Sequence, residues 1–582
     1  MKKITFTIAA ILGFSSLALA QDLYVSPTSY MYVQDEVVFV NDDIRLEAGD
    51  SNMYLRDGAQ LIQNSNIKNS DLGKLSVYQE QTGNEYEYSY WASPVGKTVT
   101  DNPQLGGANP TSLRNDESFI PYRVLKDPAS AAVNEINFTP YTLDDYIYDS
   151  TATTISSYWI HTTVNAYSYN QWVQEGRTGE ILPGYGFTMK GTPGSTATSG
   201  NVLDFRGRPN TGDITVPCVW NGSSVAQTDY DGLSPSQVES LVGNPYPSTI
   251  DLKLLFVDPA NLAGHNRNIF LEQAVYFWED SGLATHMMAE YEGGYAVYEP
   301  GDLTDINDEG SYARAKFRKF NINGSGGGTG SNNGGGGVGW STNYNAPYHY
   351  RRYAAIGQGF MVRNIDGNVG GNVTFDNSMR VYIKQDNTGG GAIFNKSSNP
   401  SPESSDISEN TVAMSHNGLD YNDIVNNPTI VPEIRIHSLI NDTYYNESVI
   451  AFRRNGNETM FKPGFDAKIA QKFKTDTYLI TDTNKELAIK SIAYNVDARI
   501  PFGIVAENDL STFSITIDEL NNVSDNIDVY MYDKSNDSYT DIRNGTFDIT
   551  LDAGTYNDRF EVVFRNASQE QEELDITEEV IT

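Results

Sequence analysis

Part of this chain occurs twice, and that duplication constrains its fold more than any other feature. Tyr90-Trp91-Ala92-Ser93-Pro94-Val95-Gly96 is paralleled by Val242-Gly243-Asn244-Pro245-Tyr246-Pro247-Ser248, each a strand-like run entering a proline-defined turn. An aromatic–Trp pair follows in both copies, Tyr158-Trp159 and Phe277-Trp278. Gly184-Tyr185-Gly186-Phe187-Thr188-Met189 then matches Gly357-Gln358-Gly359-Phe360-Met361-Val362, and Asn201-Val202-Leu203-Asp204-Phe205 matches Asn372-Val373-Thr374-Phe375. Four landmarks in one order predict two related β-rich units, over residues 71–230 and 231–395. The G-x-G-F element lacks the third glycine, the following helix and the Gly-Lys-Ser/Thr of a nucleotide loop. It reads as the start of a strand where glycine permits positive φ or a close backbone approach.

Short strand-like runs fill the rest. Residues 21–70 hold Leu23-Tyr24-Val25, Tyr32-Val33, Val37–Val40, Ile44–Leu46, Met53–Leu55 and Gln60–Ile62, separated by turn residues such as Asp57-Gly58. Runs this short predict a small β-solenoid or a meander. The second unit carries a Gly-rich insertion, 323–339, and a linker at 396–410 leads to residues 411–566. There about eight alternating runs predict an antiparallel sandwich. Val529 and Met531 share one parity, and Phe560, Val562 and Phe564 are expected to face its core with Glu561 in solvent. Residues 567–582 form an acidic tail. The fold class is therefore all-β, multidomain, with tandem β-sandwich (Ig-like or jelly-roll-like) domains behind a solenoid or meander segment.

The N-terminus carries an address. Lys2 and Lys3 precede an uncharged apolar run, Ile4–Leu17, and the small-x-small site Ala18-Leu19-Ala20. Residues 1–20 thus predict a cleaved signal peptide, with Gln21 as the new N-terminus and an extracellular or cell-surface destination reached through the periplasm. The run is shorter than the roughly 20 residues that span a bilayer, and no later stretch serves as a transmembrane helix. No cysteine follows the cleavage site, which argues against a lipid anchor there. Cys218 is the one cysteine, so no intrachain disulfide can form. It reads as a small buried hydrophobe. A formal charge of −35 opposes binding to nucleic acid and to anionic membranes.

These elements bring a family into view. Tyr90–Gly96, Gly243–Ser248, Gly357–Val362 and the closing run Ala553-Gly554-Thr555-Tyr556-Asn557-Asp558-Arg559-Phe560 together resemble the large secreted and surface proteins of Bacteroidota, especially flavobacteria, that leave by the type IX secretion system. In such proteins a run of this kind ends a β-sandwich just before a C-terminal sorting domain. No sorting domain is visible before Thr582. The resemblance implies display or release at the cell surface, often with adhesive or gliding-related roles. It supplies no catalytic residues.

Chemistry is sparse. His161, His265, His286, His349, His416 and His437 form no H-x-H or H-x-x-x-H pair, and no Gly-x-Ser-x-Gly elbow occurs. Asp302, Asp305, Asn307 and Asp308, ahead of Gly310, have the oxygen ligands and turn-rich setting of a calcium loop, though not the register of an EF-hand. They are the candidate metal residues, against the plainer reading of a solvated acidic loop. No other cofactor is expected. The Trp340–Tyr353 stretch, with Tyr344, Tyr348, His349, Tyr350, Arg351, Arg352 and Tyr353, is either a binding edge or core packing. The sequence therefore predicts a non-enzymatic structural or adhesion protein, with surface proteins, secretion machinery or surface glycans as partners. A secreted carbohydrate-binding or carbohydrate-active protein is the alternative.

Overall fold

The computed structural model describes residues 22–66, 69, 72–81, 83–98, 118–128, 136–140, 153–193, 201–226, 233–262, 267–280, 284–287, 292–319, 351–384 and 415–569. The predicted signal peptide, the Gly-rich insertion, the predicted linker at 396–410 and nearly all of the acidic tail lie outside them. The protein is all-β, and the helices among the described residues are short. None of them is long and apolar enough to cross a membrane.

The first segment is a solenoid. β1 (Leu23–Val25), β2 (Tyr30–Gln34) and β3 (Val37–Val40) pair in parallel with β4 (Ile44–Leu46), β5 (Asn52–Arg56) and β6 (Gln60–Gln63). Leu23 lies opposite Ile44, Tyr30 opposite Asn52 and Val37 opposite Gln60, a coil of about 22 residues. A meander would have paired neighbouring strands antiparallel. The corners decide otherwise: Asp35 and Asp57 both take positive φ (54° and 52°), one coil apart. Short polar residues tolerate that conformation at small steric expense. Val33, Val40, Ile44, Leu46, Met53, Leu55 and Leu61 point inward into one core.

β5 also pairs in parallel with β7 (Lys74–Gln81), which pairs antiparallel with Asn201–Pro209. The solenoid sheet thus runs on into the first duplicated unit. β8 (Tyr88–Trp91) pairs antiparallel with Phe187–Lys190. Ile214–Val219, placed by the sequence in the first unit, pairs with Gly370–Phe375 of the second, so the second unit's strands begin before residue 231; Glu239–Gly243 pairs with Gly359–Arg363. The pairing scheme repeats in register. Phe187 opposes Trp91 as Phe360 opposes Val242, so Trp91-Ala92-Ser93-Pro94 corresponds to Val242-Gly243-Asn244-Pro245.

The two copies also cross. Ala92 N donates to Gly357 O (2.8 Å), and its counterpart Gly243 N donates to Gly184 O (3.1 Å). Trp91 bridges Gln358 just as Val242 bridges Tyr185. These contacts exchange under a local two-fold relation, which explains the glycine motif. Gly184 and Gly357 have φ of +79° and +74°. A Cβ on Gly186 would lie 2.6 Å from Leu241, and one on Gly359 2.7 Å from the Trp91 nitrogen. The copies differ at the aromatic–Trp landmark. Phe277-Trp278 lies in the strand Val275–Asp280, whereas Tyr158-Trp159 forms a 3-10 turn. There the Thr188 hydroxyl donates to Trp159 O (2.6 Å) and accepts from His161 N (3.1 Å), in place of ladder bonds.

Residues 433–563 build one eleven-stranded sheet that curls into a near-closed barrel around a single core. One pair, Tyr444–Phe452 with Glu486–Ile492, is parallel, a departure from the antiparallel expectation made possible by the long crossover between them. Val529, Met531, Phe560, Val562 and Phe564 are in the core. Glu561, expected in solvent, is only 9% exposed because Arg499 and Lys534 close over it as ion pairs. Part of the barrel's outer surface is buried too: Val449, Tyr478, Ile480 and Ile489 pack on Tyr276, Tyr295, Val297 and Met361 of the second unit.

Candidate functional site

The acidic loop predicted as a calcium site joins the strands Glu292–Glu299 and Ser311–Ala313 and docks the barrel. Asp308 is buried and accepts Arg453 Nε (2.8 Å), Asp302 N (2.8 Å) and Gly310 N (2.9 Å). Glu299 accepts Arg453 Nη1 (2.6 Å). Burial pushes Glu299 up to about 8 against the pull of Arg453. Burial acts on Asp308 in the same sense, but Arg453 and Lys253 overcome it and hold Asp308 well below the ordinary carboxylate range. Asp302 accepts the Thr304 hydroxyl (2.7 Å), and Asp305 the Thr429 hydroxyl (2.8 Å). Asn307 donates to Asn427 O (3.0 Å) beside the short helix Tyr421–Asn426. The four residues therefore reach towards different partners. Among the described residues no three His, Cys, Asp or Glu side chains gather as a metal site.

Of the aromatic stretch before Tyr353, Tyr344, Tyr348, His349 and Tyr350 lie outside the described residues. Arg351, Arg352 and Tyr353 are buried. Arg352 makes a two-pronged bond to Asp251 (2.9 and 2.7 Å), which also accepts the Tyr421 hydroxyl (3.0 Å). This end of the stretch packs the interior.

Among the described residues the most exposed tyrosines, Tyr30, Tyr32 and Tyr24, are on the solenoid; Tyr494, Tyr158 and Tyr169 elsewhere are less exposed. Side chains alternate across a strand, so Tyr30 and Tyr32 of β2, Tyr54 and Arg56 of β5, and Ser76 and Tyr78 of β7 share the outer face of one sheet. Register sets Tyr32 beside Tyr54 and Tyr54 beside Ser76. Tyr30 is 70% and Tyr32 56% exposed. The Tyr30 ring meets Tyr54 edge-on at 5.9 Å. The Arg56 guanidinium lies 5.1 Å from the Tyr54 ring centre and 3.4 Å from that of Tyr78. It donates to Ser76 O (2.9 Å) and Ser76 Oγ (2.8 Å), and Ser76 Oγ donates to Asp204 (2.6 Å). Asp204 pairs with Arg206. Burial raises the Asp204 carboxyl, against Arg206 and Ser76. The guanidinium, itself buried, is thus fixed from the side by Ser76 on the same face, against the rings of Tyr54 and Tyr78. Such a face can bind non-covalently, by ring stacking, cation–π contact and the tyrosine hydroxyls.

Sequence reasoning missed this face. Its signal was the coil repeat, which puts Tyr54 22 positions after Tyr32.

Residues 120–411 match a family described as a domain of unknown function (DUF8693). The chain belongs to this family. The match takes in the later part of the first unit and all of the second, and leaves out the solenoid and the barrel. Comparison with curated proteins and with solved structures finds no match. All four tyrosines of the face precede the family's segment, while Asp204 and Arg206, beside Tyr78 and Ser76 on the next strand, fall within it.

Proposed function

We propose that this is a secreted or cell-surface protein with a structural or adhesive, non-enzymatic role, which engages its target through the tyrosine–arginine face. One observation carries the reading: Arg56 held between Tyr54 and Tyr78, with Tyr30 and Tyr32 exposed beside them. Tyrosine supplies contact area at low cost in conformational freedom, and Tyr and Arg are where interface energy concentrates. Sites on strands are also more rigid than sites on loops. The partners would be other proteins of the cell surface or secretion machinery, or surface glycans. The closing run Ala553–Phe560 adds type IX secretion and gliding assemblies to the candidates. A carbohydrate-binding role is the second reading, favoured by Tyr30 and Tyr32, whose exposed rings and hydroxyl rims suit the face of a sugar ring.

The mature chain should begin at Gln21, which N-terminal sequencing of exported protein checks. Whole-cell and glycan-array binding of that chain, compared with a Tyr30→Ala/Tyr32→Ala/Tyr54→Ala variant, tests the face. The variant should lose about tenfold or more in affinity, as removal of interface anchors does, with little change in melting temperature. Loss confined to glycans favours the second reading. Unchanged binding to every target sinks both.

A further inference from the structure

Between the strands Tyr444–Phe452 and Glu486–Ile492 the chain makes its long crossover, and on the way Asp466 meets Lys490. Lys490 Nζ lies 3.0 Å from Asp466 Oδ2, and the two side chains are 1% and 0% exposed, so no bulk water reaches the contact. The backbone fixes both partners. Lys490 belongs to the strand Glu486–Ile492, and Ala467, next to Asp466, pairs with Ile489 of the same strand.

The two carboxylate oxygens are set apart by their partners. Oδ1 accepts Ser491 N (2.9 Å). Oδ2 accepts Lys462 N (2.7 Å) and faces the amine. Lys490 Nζ also donates to Met460 O (2.6 Å), which aims it from the other side. Burial raises the Asp466 carboxyl and lowers the Lys490 ammonium, each against the attraction of the other. Both directions favour the neutral acid and the neutral amine. An amine and a carboxyl group held in contact have the geometry for condensation, and fixed neighbours of this kind reach effective concentrations of about 10⁵–10⁸ M.

We propose that Lys490 and Asp466 join in an intramolecular isopeptide bond. A proton passes from Lys490 to Asp466 Oδ2 along the hydrogen bond between them. The freed amine attacks Cγ, and the negative charge goes to Oδ1, where the Ser491 N–H stands as its oxyanion donor. The nitrogen gives a second proton to Oδ2, the Cγ–Oδ2 bond breaks, and water leaves as the Nζ–Cγ amide forms. The chain loses one water and consumes no oxidant, metal or co-reactant. With the pair out of solvent, hydrolysis lacks its water. The bond closes residues 466–490 into a loop and ties the crossover to the sheet, in a chain whose one cysteine permits no disulfide. The inference does not depend on the tyrosine face.

Intact-mass measurement of the denatured full mature chain, followed by proteolytic digestion, tests it. The main species should be lighter than its sequence by one water, and the digest should contain a branched peptide joining Asp466 to Lys490. Lys490→Arg keeps the charge but cannot form this amide, and Asp466→Ala removes the carboxyl, so the main species of each should have its full sequence mass at this site and yield no branched peptide. The wild-type digest decides the question even if a variant fails to fold. Separate linear peptides carrying Asp466 and Lys490 as the main wild-type products would overturn the bond. A water deficit that persists in Lys490→Arg would also overturn it, since that water was lost elsewhere.

Discussion

Arg453→Met tests whether the acidic loop is a clamp. Arg453 makes hydrogen bonds to Asp308 (2.8 and 3.2 Å), Glu299 (2.6 Å), Ser491 (2.8 Å) and Ser311 (3.0 Å), and all five residues are buried. Methionine fills much of the stem volume but leaves Asp308 as a buried carboxylate without its cation. Removing one partner of a buried pair costs about 3–5 kcal/mol. Glu299 adds little of this near neutral pH, because burial already holds it largely protonated, with a pKa of about 8. Glu299 stabilises most below the unfolded carboxylate pKa, and its contribution is lost as pH rises through its folded pKa of about 8. Asp308 has the opposite sign. Its folded pKa is depressed, so its contribution is present above the unfolded pKa and lost as pH falls through the folded one. In the variant that depression is relieved, and Asp308 protonates more readily. The deficit should therefore be largest at pH 7 and shrink towards pH 4. For a cooperative unit of 150–250 residues, about 4 kcal/mol corresponds to roughly 8–16 °C in melting temperature. The assay is calorimetry of the full mature chain, since the barrel's outer face is buried against the second unit. Melting within about 2 °C of wild type at pH 7 would refute the clamp, as would a deficit that grows on acidification.

Phe560→Ala and Phe564→Ala should each cost about 3–5 kcal/mol in urea unfolding. Phe564 should fall at the lower end, because its neighbour Tyr494 is partly exposed and the site can relax; an unchanged midpoint would remove that strand from the core. Gly359→Ala should cost about 1–3 kcal/mol, as overpacking does, because the new Cβ meets the Trp91 nitrogen at the crossing of the two units; wild-type stability would show that the crossing can yield. Asp302, Asp305 and Asp308 are already engaged by donors of the chain. EDTA should therefore leave the melting temperature unchanged, and a fall of more than about 3 °C that calcium reverses would establish a calcium site in the loop.

The parts of this fold that could be read in the sequence are those where backbone geometry restricts the residue. The G-x-G-F landmarks stood out because Gly184 and Gly357 need positive φ and Gly186 and Gly359 sit against another backbone. Strand parity was equally readable at Val529 and Met531, and at Phe560, Val562 and Phe564, where one face is core and the other is not. It failed at Glu561, whose cover comes from Arg499 and Lys534, a feature of pairing that hydropathy does not record. The plainer reading of the acidic loop as solvated failed at Asp308 for the same reason at longer range. Asp308 looks solvated beside its own neighbours, and Arg453, which makes it interior, lies far along the chain.

The barrel's docking face extends this point. Arg435, Glu447, Asp476 and Lys490 are buried, and each is paired, Arg435 with Glu447, Lys316 with Asp476 and Lys490 with Asp466. Alternation along Glu433–Ile440 or Tyr444–Phe452 reads such residues as a solvent face, because pattern analysis assigns charge to water. In the structure both faces of these strands are covered, one by the barrel's aliphatic core and the other by the second unit; Arg435–Glu447 and Lys490–Asp466 are paired within the barrel, while Lys316–Asp476 and the Arg453 pairs with Glu299 and Asp308 join it to that unit. Separating the two would be costly, since Asp476 and Arg453 on the barrel, and Lys316, Glu299 and Asp308 on the second unit, would lose their partners. The duplicated units and the barrel should therefore act as one rigid body, so a load applied to the barrel is transmitted to the solenoid that carries Tyr30 and Tyr32.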